Sequence, residues 1–197
     1  MPKIIWEGNQ VLEVNYANEP MPLNAVKISR PDNIFKGSVK YGAIAILFCY
    51  LMILFKIELN GFLPMDRKYA IVGLLLGFLL IPVHELLHAI CYNREATVYV
   101  GISLKSFAAY MVSYFPLTKK KFIFMSLLPT ILGLIPLLFF LVIPSEWTIL
   151  ETICLPMGII GMITPSPDYK DVVLVLKQVP NKALIQASNE GFFWYKP

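Results

Sequence analysis

The sequence contains few charged residues, and this scarcity excludes an ordinary soluble domain. Only 15% of its 197 residues are Asp, Glu, Lys or Arg, whereas 57% are hydrophobic. A typical soluble domain has about 25% charged residues and about 45–50% apolar ones. We therefore predict that much of this chain has a lipid bilayer as its solvent.

Cysteine is also scarce, which excludes a disulfide-stabilised secreted scaffold. The three cysteines, Cys49, Cys91 and Cys154, are odd in number and lie in or beside apolar runs. Small secreted domains instead carry even sets of cysteines outside long apolar runs. We interpret these three as reduced thiols that mostly serve packing.

A continuous basic surface is missing as well, although the net charge is +4. The Lys and Arg residues are scattered between the apolar runs, apart from the cluster Lys119-Lys120-Lys121 beside one of them. Nucleic-acid-binding domains usually gather basic residues on one face. We expect no nucleic-acid partner, and we read the charges as signals of membrane topology.

Long apolar segments dominate what is present. About 20 helical residues cross the hydrocarbon core, and four segments approach this length: 41–55, 69–91, 122–143 and 147–163. The predicted fold is mainly α, a polytopic membrane protein with about four transmembrane helices and small β-hairpin elements at the cytoplasmic side. We expect residues 1–40 to form a cytoplasmic segment without a secretory signal, 41–163 the membrane domain, and 164–197 a second cytoplasmic segment.

The distribution of Lys and Arg predicts the orientation of these spans. If the spans alternate in direction, 14 of the 17 basic residues lie on one side of the membrane. Cytoplasmic loops carry such an excess. We therefore expect a multi-pass protein of the cell membrane with both termini and the loop 92–121 in the cytoplasm.

Short β-prone stretches flank the spans. Residues 3–14 and 183–195 each read as two strands around a turn, and residues 169–178 read as a helix stopped by Pro180. Residues 97–104 are β-prone and follow the second apolar segment directly. This strand could pair with an extended peptide, or it could belong to a plain hairpin at the membrane surface.

The motif His84-Glu85-Leu86-Leu87-His88 stands near the cytoplasmic end of the second predicted span. On a helix the two imidazoles project within about 40° of each other, one turn apart, so both can reach one metal ion. The carboxylate of Glu85 can then hold the metal-bound water molecule and accept its proton without being a ligand itself. The alternative is that the two histidines and the glutamate only form hydrogen bonds with one another inside a helix bundle. Burying ionisable groups in a span costs free energy, however, and such groups usually have a function.

A third zinc ligand is needed, and no histidine remains. We favour Asp168, which lies where the fourth span reaches the cytoplasmic side; an N-cap of the helix from Tyr169 is its alternative role. Asp171 is the reserve candidate, and Cys91 is a weaker one because such cysteines usually serve packing. Glu151 is predicted to lie far away, as an interfacial or helix-start carboxylate.

Gly73 and Gly77 form a small-xxx-small face at which another helix can approach closely. Pro82 is expected to remove a helical hydrogen bond just before the motif and could bend the helix there.

Four features together resemble the putative zincin peptidase family. They are residues 84–89 at the end of an apolar helix, the β-prone stretch 97–104, an apolar run with Leu127-Leu128-Pro129-Thr130, and Asp168 before a helix ending Lys177-Gln178-Val179-Pro180. The family is similar to the site-2 proteases, membrane metalloproteases that cleave peptide bonds in or beside the bilayer. The resemblance covers residues 69–195.

The resemblance implies His84 and His88 as zinc ligands, Glu85 as catalytic base and Asp168 as the third ligand. The chain departs from the site-2 protease pattern because Tyr169 follows Asp168 where those enzymes carry Asp-Gly.

The expected function is that of a membrane-embedded zinc metalloprotease. Its cofactor would be Zn²⁺, and its substrate a membrane protein or peptide cleaved in or near the cytoplasmic side. One alternative is a non-proteolytic membrane protein with a structural or regulatory metal site. A transporter is a third hypothesis, although transporters usually place polar residues in several spans.

Overall fold

The structure is a computed structural model that describes residues 1–9, 20–30, 34–63, 65–103 and 108–197. The chain divides into two compact units. We call Met1–Asp32, Pro82–Leu128 and Lys170–Pro197 the sheet unit. We call Asn33–Ile81 and Pro129–Tyr169 the helical unit.

The helices and strands follow one another along the described chain in this order: β1 Lys3–Asn9, β2 Val26–Lys27, α1 Ile34–Asn60, α2 Arg67–Leu79, α3 Ile81–Ile90, β3 Thr97–Ser103, β4 Ala108–Val112, β5 Leu117–Thr118, α4 Lys119–Leu127, α5 Ile131–Val142, α6 Thr148–Ile163, α7 Ser166–Gln178, β6 Leu184–Ser188 and β7 Gly191–Tyr195. Single 3-10 turns precede α5, at Leu128–Thr130, and α6, at Ser145–Trp147.

The described residues contain four helical stretches that are long and apolar enough to cross a membrane. They are Gly37–Asn60, Arg67–Ile90, Lys119–Val142 and Ser145–Gln178. The prediction of a mainly helical protein with four such stretches and small sheets is confirmed at this level. The first stretch is longer than the predicted 41–55, because α1 continues until Gly61 adopts a positive φ of 75° and its N–H bonds to the carbonyl of Ile57.

Glycines bring the helices of the helical unit together. A side chain at Gly73 would overlap the carbonyl oxygen of Ile153, and a Cβ at Gly77 would lie 2.8 Å from that of Ile160. The predicted small-residue face of α2 therefore packs directly against α6. The helix is interrupted just before the motif, since α2 ends at Leu79 and α3 begins at Ile81. Pro82 therefore lies in a first helical turn, where proline is tolerated.

The helical unit also buries an ion pair that involves Glu151. Glu151 lies in the first turn of α6, as the helix-start alternative predicted, and it is fully buried. Its Oε1 is 3.3 Å from Nζ of Lys56, which is 1% exposed. The same ammonium group donates hydrogen bonds to the carbonyls of Ile143 (2.6 Å) and Leu141 (3.3 Å).

The first sheet of the sheet unit has the strand order β1-β3-β4. β3 pairs in parallel with β1 and antiparallel with β4, so both of its edges are occupied. The prediction that this strand itself could accept an extended peptide is therefore wrong, and the hairpin is present. β1 runs through Gly8 instead of turning there, and the second strand predicted up to Val14 lies outside the described residues.

The second sheet has the order β2-β7-β6-β5, and its β6-β7 hairpin turns at the predicted place. A single hydrophobic core of the sheet unit contains Ala89 of α3, Val98 of β3, Ile185 of β6, and Val175 of α7. Burying such aliphatic side chains contributes about 1.5–3 kcal/mol for each large one. This shared core fixes α3 together with the part of α7 from Lys170 onward.

Candidate metal centre

Two buried histidines on α3 form the base of the candidate site. His84 is 7% exposed and His88 is 5% exposed, whereas their neighbours on the opposite face, Val83 and Leu86, are exposed. The four-residue spacing places both imidazoles on the side of α3 that faces the core. Buried imidazoles need partners for their ring nitrogens, and the arrangement of these nitrogens decides what the pair can bind.

The Nε2 atoms of the two histidines point at each other across 3.1 Å. Their rings are nearly perpendicular, at 84°, with centroids 4.7 Å apart. Two nitrogens that share one tetrahedral zinc ion at about 2.05 Å are roughly 3.3 Å apart. The spacing of the two nitrogens therefore fits a shared metal ion.

The backbone of α4 fixes the tautomer of His88. Its Nδ1 is 3.0 Å from the carbonyl oxygen of Met125, which can only accept a hydrogen bond. Nδ1 therefore carries the proton, and Nε2 presents a lone pair toward His84. Metal-binding histidines typically donate their other N–H in this way, which orients the ring and increases its basicity.

The carboxylate of Asp168 completes the group. One ligand atom from each of His84, His88 and Asp168 lies within 4.8 Å of the others. Asp168 is half-buried in the first turn of α7. A helix N-terminus favours negative charge. Two imidazole nitrogens and one carboxylate oxygen form a donor set that suits zinc and leaves the fourth position open.

Asp168 does not cap α7, because the helix already begins at Ser166. The N-cap alternative is therefore wrong. It assumed that the helix begins at Tyr169, but the first turn of α7 already includes Pro167 and Asp168. The carboxylate thus projects from a helical position.

Glu85 follows His84 directly on α3 and is half-buried. One residue along a helix corresponds to a rotation of 100°, so its carboxylate projects from a face beside the two imidazoles. The grouped donor atoms do not include it. A carboxylate that stands beside the ligands without joining them can accept a proton from a water molecule.

The other candidate ligands have different partners. The thiol of Cys91 donates to the carbonyl of Leu87 at 3.3 Å, and burial raises its pKa, although the charge of Lys121 acts in the opposite direction. The carboxylate of Asp171 forms an ion pair with Arg30. Glu151 pairs with Lys56 in the helical unit. The described metal-binding group contains none of the three.

Sequence reasoning missed two features of this site. The carbonyl of Met125 has no signature in the sequence, because any residue at that position would provide the same acceptor. The partner of Asp171 was also missed, because Arg30 lies 141 residues away along the chain. Only the fold brings such distant residues together.

One of three comparisons with known proteins identifies a family for this chain. No curated protein and no solved structure matches the chain. The family model described as putative zincin peptidase matches residues 77–184, a stretch that contains His84, Glu85, His88 and Asp168. Because the match covers more than half of the 197 residues, the chain belongs to the putative zincin peptidase family.

Proposed function

We propose that this protein is a membrane-embedded zinc metallopeptidase that hydrolyses peptide bonds at or near the cytoplasmic side of the membrane. One observation carries the proposal: two imidazole nitrogens and a carboxylate converge within 4.8 Å, and Glu85 stands beside them in the sequence. Membership of the family supports the peptidase chemistry.

In this proposal His84, His88 and Asp168 hold the zinc ion. A zinc ion in such a site polarises a carbonyl group and lowers the pKa of a water molecule to about 7. His88 keeps its lone pair directed at the site because its opposite nitrogen donates to Met125. The surroundings of both imidazoles are buried, which strengthens electrostatic interactions there.

Glu85 acts as the general base. Its carboxylate accepts a proton from the attacking water molecule and then delivers it to the nitrogen of the departing amine. Its half-buried position leaves it accessible to water while keeping it beside the histidines. General-base catalysis typically contributes about 10² to 10⁴ in rate.

The composition and the long apolar helices support a location in the membrane. Four stretches have the length and apolar character of membrane spans, and the histidines lie on the last helix of the second. The substrate would therefore be a membrane protein or a peptide close to the bilayer. The basic residues favour a cytoplasmic position for both termini.

Reporter fusions test this topology. A reporter fused after Pro197 is expected to be cytoplasmic, and one inserted after Asn60 is expected on the opposite side. The reverse pattern would place the histidines at the other face of the membrane and would overturn the proposed side of cleavage.

Replacement of the base tests the enzymatic mechanism. Glu85→Gln keeps the size of the side chain but cannot accept the proton, so it should retain zinc and lose about 10²- to 10⁴-fold in cleavage rate. The assay would use the full chain in liposomes with a fluorogenic library of membrane-tethered peptides. Glu95→Gln is the matched control, because Glu95 is exposed just beyond α3. This variant should cleave the library as fast as the wild type does.

If Glu85→Gln cleaves the library as fast as the wild type, the mechanism is wrong. If zinc is bound but neither protein cleaves any member of the library, a structural or regulatory metal site becomes the better account.

A further inference from the structure

A short segment of the sheet unit, Ile28–Arg30, contacts both β7 and α7, and we call it the strap. The N–H of Ile28 donates to the carbonyl of Phe192 at 2.8 Å. At Ser29 the backbone is held on both sides by one amide, since its N–H donates to Oε1 of Gln178 at 2.8 Å and its carbonyl accepts from Nε2 at 3.0 Å. The strap is therefore attached to both β7 and the end of α7.

Arg30 attaches the strap to α7 a second time. Its guanidinium donates from Nη2 to Oδ2 of Asp171, and it stacks over the ring of Phe192 with its Cζ 4.0 Å from the centroid. The other carboxylate oxygen of Asp171 is 3.7 Å from Nζ of Lys170. Arg30 and Asp171 are 24% and 17% exposed, so the contact is largely shielded from water. A planar guanidinium held on two sides has a defined orientation.

The two attachments fix the position of α7 along and around its own axis. Asp171 and Gln178 are seven residues apart, which is about 10 Å and two turns, and they project within about 20° of each other. Asp168 lies one turn before Asp171 on the same helix. Any rotation or slide of α7 would displace the Asp168 carboxylate, which the same helix carries.

We propose that Arg30 and Asp171 are positioning residues for the metal site: through the strap they hold α7 in the register that directs Asp168 toward His84 and His88. This inference rests on the proposed zinc site. In this proposal Asp171 is not a metal ligand, because its carboxylate is paired with Arg30. It affects the metal only through the position of Asp168.

A double-mutant cycle on metal affinity tests the proposal. The full chain in detergent is titrated with Co²⁺ and with Zn²⁺ against a chelator, and the visible absorption of bound Co²⁺ reports the ligand geometry. Asp171→Asn is expected to weaken binding about 10- to 100-fold, the usual effect of removing a group that orients a ligand. Lys177→Gln, an exposed change on the same helix, is the control and should bind as the wild type does.

The decisive comparison is made in the Asp168→Ala background. If Asp171 acts through Asp168, then Asp171→Asn should cause no further loss once Asp168 is gone. Gln178→Ala removes the other attachment without altering a charge, and it should show the same dependence on Asp168. An equal loss of affinity with and without Asp168 would mean that the strap only stabilises the fold, and it would overturn the inference.

The two proposals fail in different ways. Wild-type protein that binds neither ion would overturn the zinc site and this inference together. Wild-type protein that binds zinc, loses affinity with Asp168→Ala and keeps it with Asp171→Asn would overturn only the role of the strap.

Discussion

Among the described residues, two groups of ionisable side chains in long apolar helices differ in how their charges and lone pairs are satisfied. In the helical unit, the ammonium of Lys56 lies beside the carboxylate of Glu151 and two backbone carbonyls. In the candidate metal centre, the Nε2 atoms of His84 and His88 point at each other near a carboxylate. The first group contains its own cation, the ammonium of Lys56. The second group consists of imidazole nitrogens and a carboxylate, which attract a cation.

This difference shows which buried polar groups indicate a binding site. Both groups lie in helices apolar enough to cross a membrane, where ionisable residues are usually functional. Burial of ionisable residues alone would therefore indicate a binding site at both groups. Opposite charges that neutralise each other need no ligand, whereas two facing imidazole nitrogens need a proton or a metal ion between them. The three predictions below test this distinction.

The largest effect is expected from His88→Ala. Loss of one of three ligands opens the site, so the purified variant should lose the approximately one zinc ion expected per chain, and cleavage should fall to background. Metal analysis by mass spectrometry measures the content directly. Cys91→Ala is the control: its thiol bonds to the carbonyl of Leu87, so zinc content should not change.

Equal zinc in His88→Ala and the wild type would remove the metal interpretation. Loss of zinc in Cys91→Ala would show instead that the sulfur belongs to the site.

A second, intermediate effect is expected in the helical unit. Lys56→Met leaves the buried carboxylate of Glu151 without its countercharge, which should destabilise the protein by about 3–5 kcal/mol. The double variant Lys56→Met/Glu151→Leu removes both charges and should recover most of this loss. Denaturant unfolding in detergent measures both, and the exposed Lys68→Met serves as control.

Zinc content should stay unchanged in the folded Lys56 and Glu151 variants, because the two opposite charges of this pair compensate each other without a ligand. A double variant as unstable as the single one, or a loss of zinc in the folded protein, would contradict the comparison.

The smallest effect is expected from Tyr110→Phe in the sheet unit. The hydroxyl of Tyr110 donates to Oε2 of Glu7 at 3.2 Å and links β4 to β1 across the first sheet. Its removal should cost about 1 kcal/mol of stability and leave zinc affinity unchanged. Chelator competition and thermal unfolding measure the two quantities. A large drop in zinc affinity would mean that polar contacts far from the histidines also control the site.

Local patterns predicted much of this fold. Apolar length predicted the four long helices, Gly73 and Gly77 the close helix packing, and Asn189-Glu190-Gly191 the turn of the last hairpin. Each of these features depends on residues that are close together in the sequence. The end of α1 was placed too early, because Lys56 looks like the limit of a span in the sequence but is buried through its pairing with Glu151.

Features that depend on distant residues were not predicted. β1 pairs in parallel with β3 across more than 80 residues, which occupies the edge that the sequence left open for a peptide. The proximity of Asp168 to the histidines was anticipated from its depth at the end of a span. Its ligand role stays a prediction, and the strap around Arg30 has no local signature.

Zinc-edge X-ray absorption on the purified full-length protein tests the central claim most directly. We expect about one zinc ion per chain with nitrogen and oxygen ligands at about 2.0–2.2 Å and an imidazole scattering pattern from two histidines. In Asp168→Ala reloaded with excess zinc, one oxygen ligand from the protein should be missing. A sulfur ligand at about 2.3 Å, or the absence of zinc from the wild type, would contradict it.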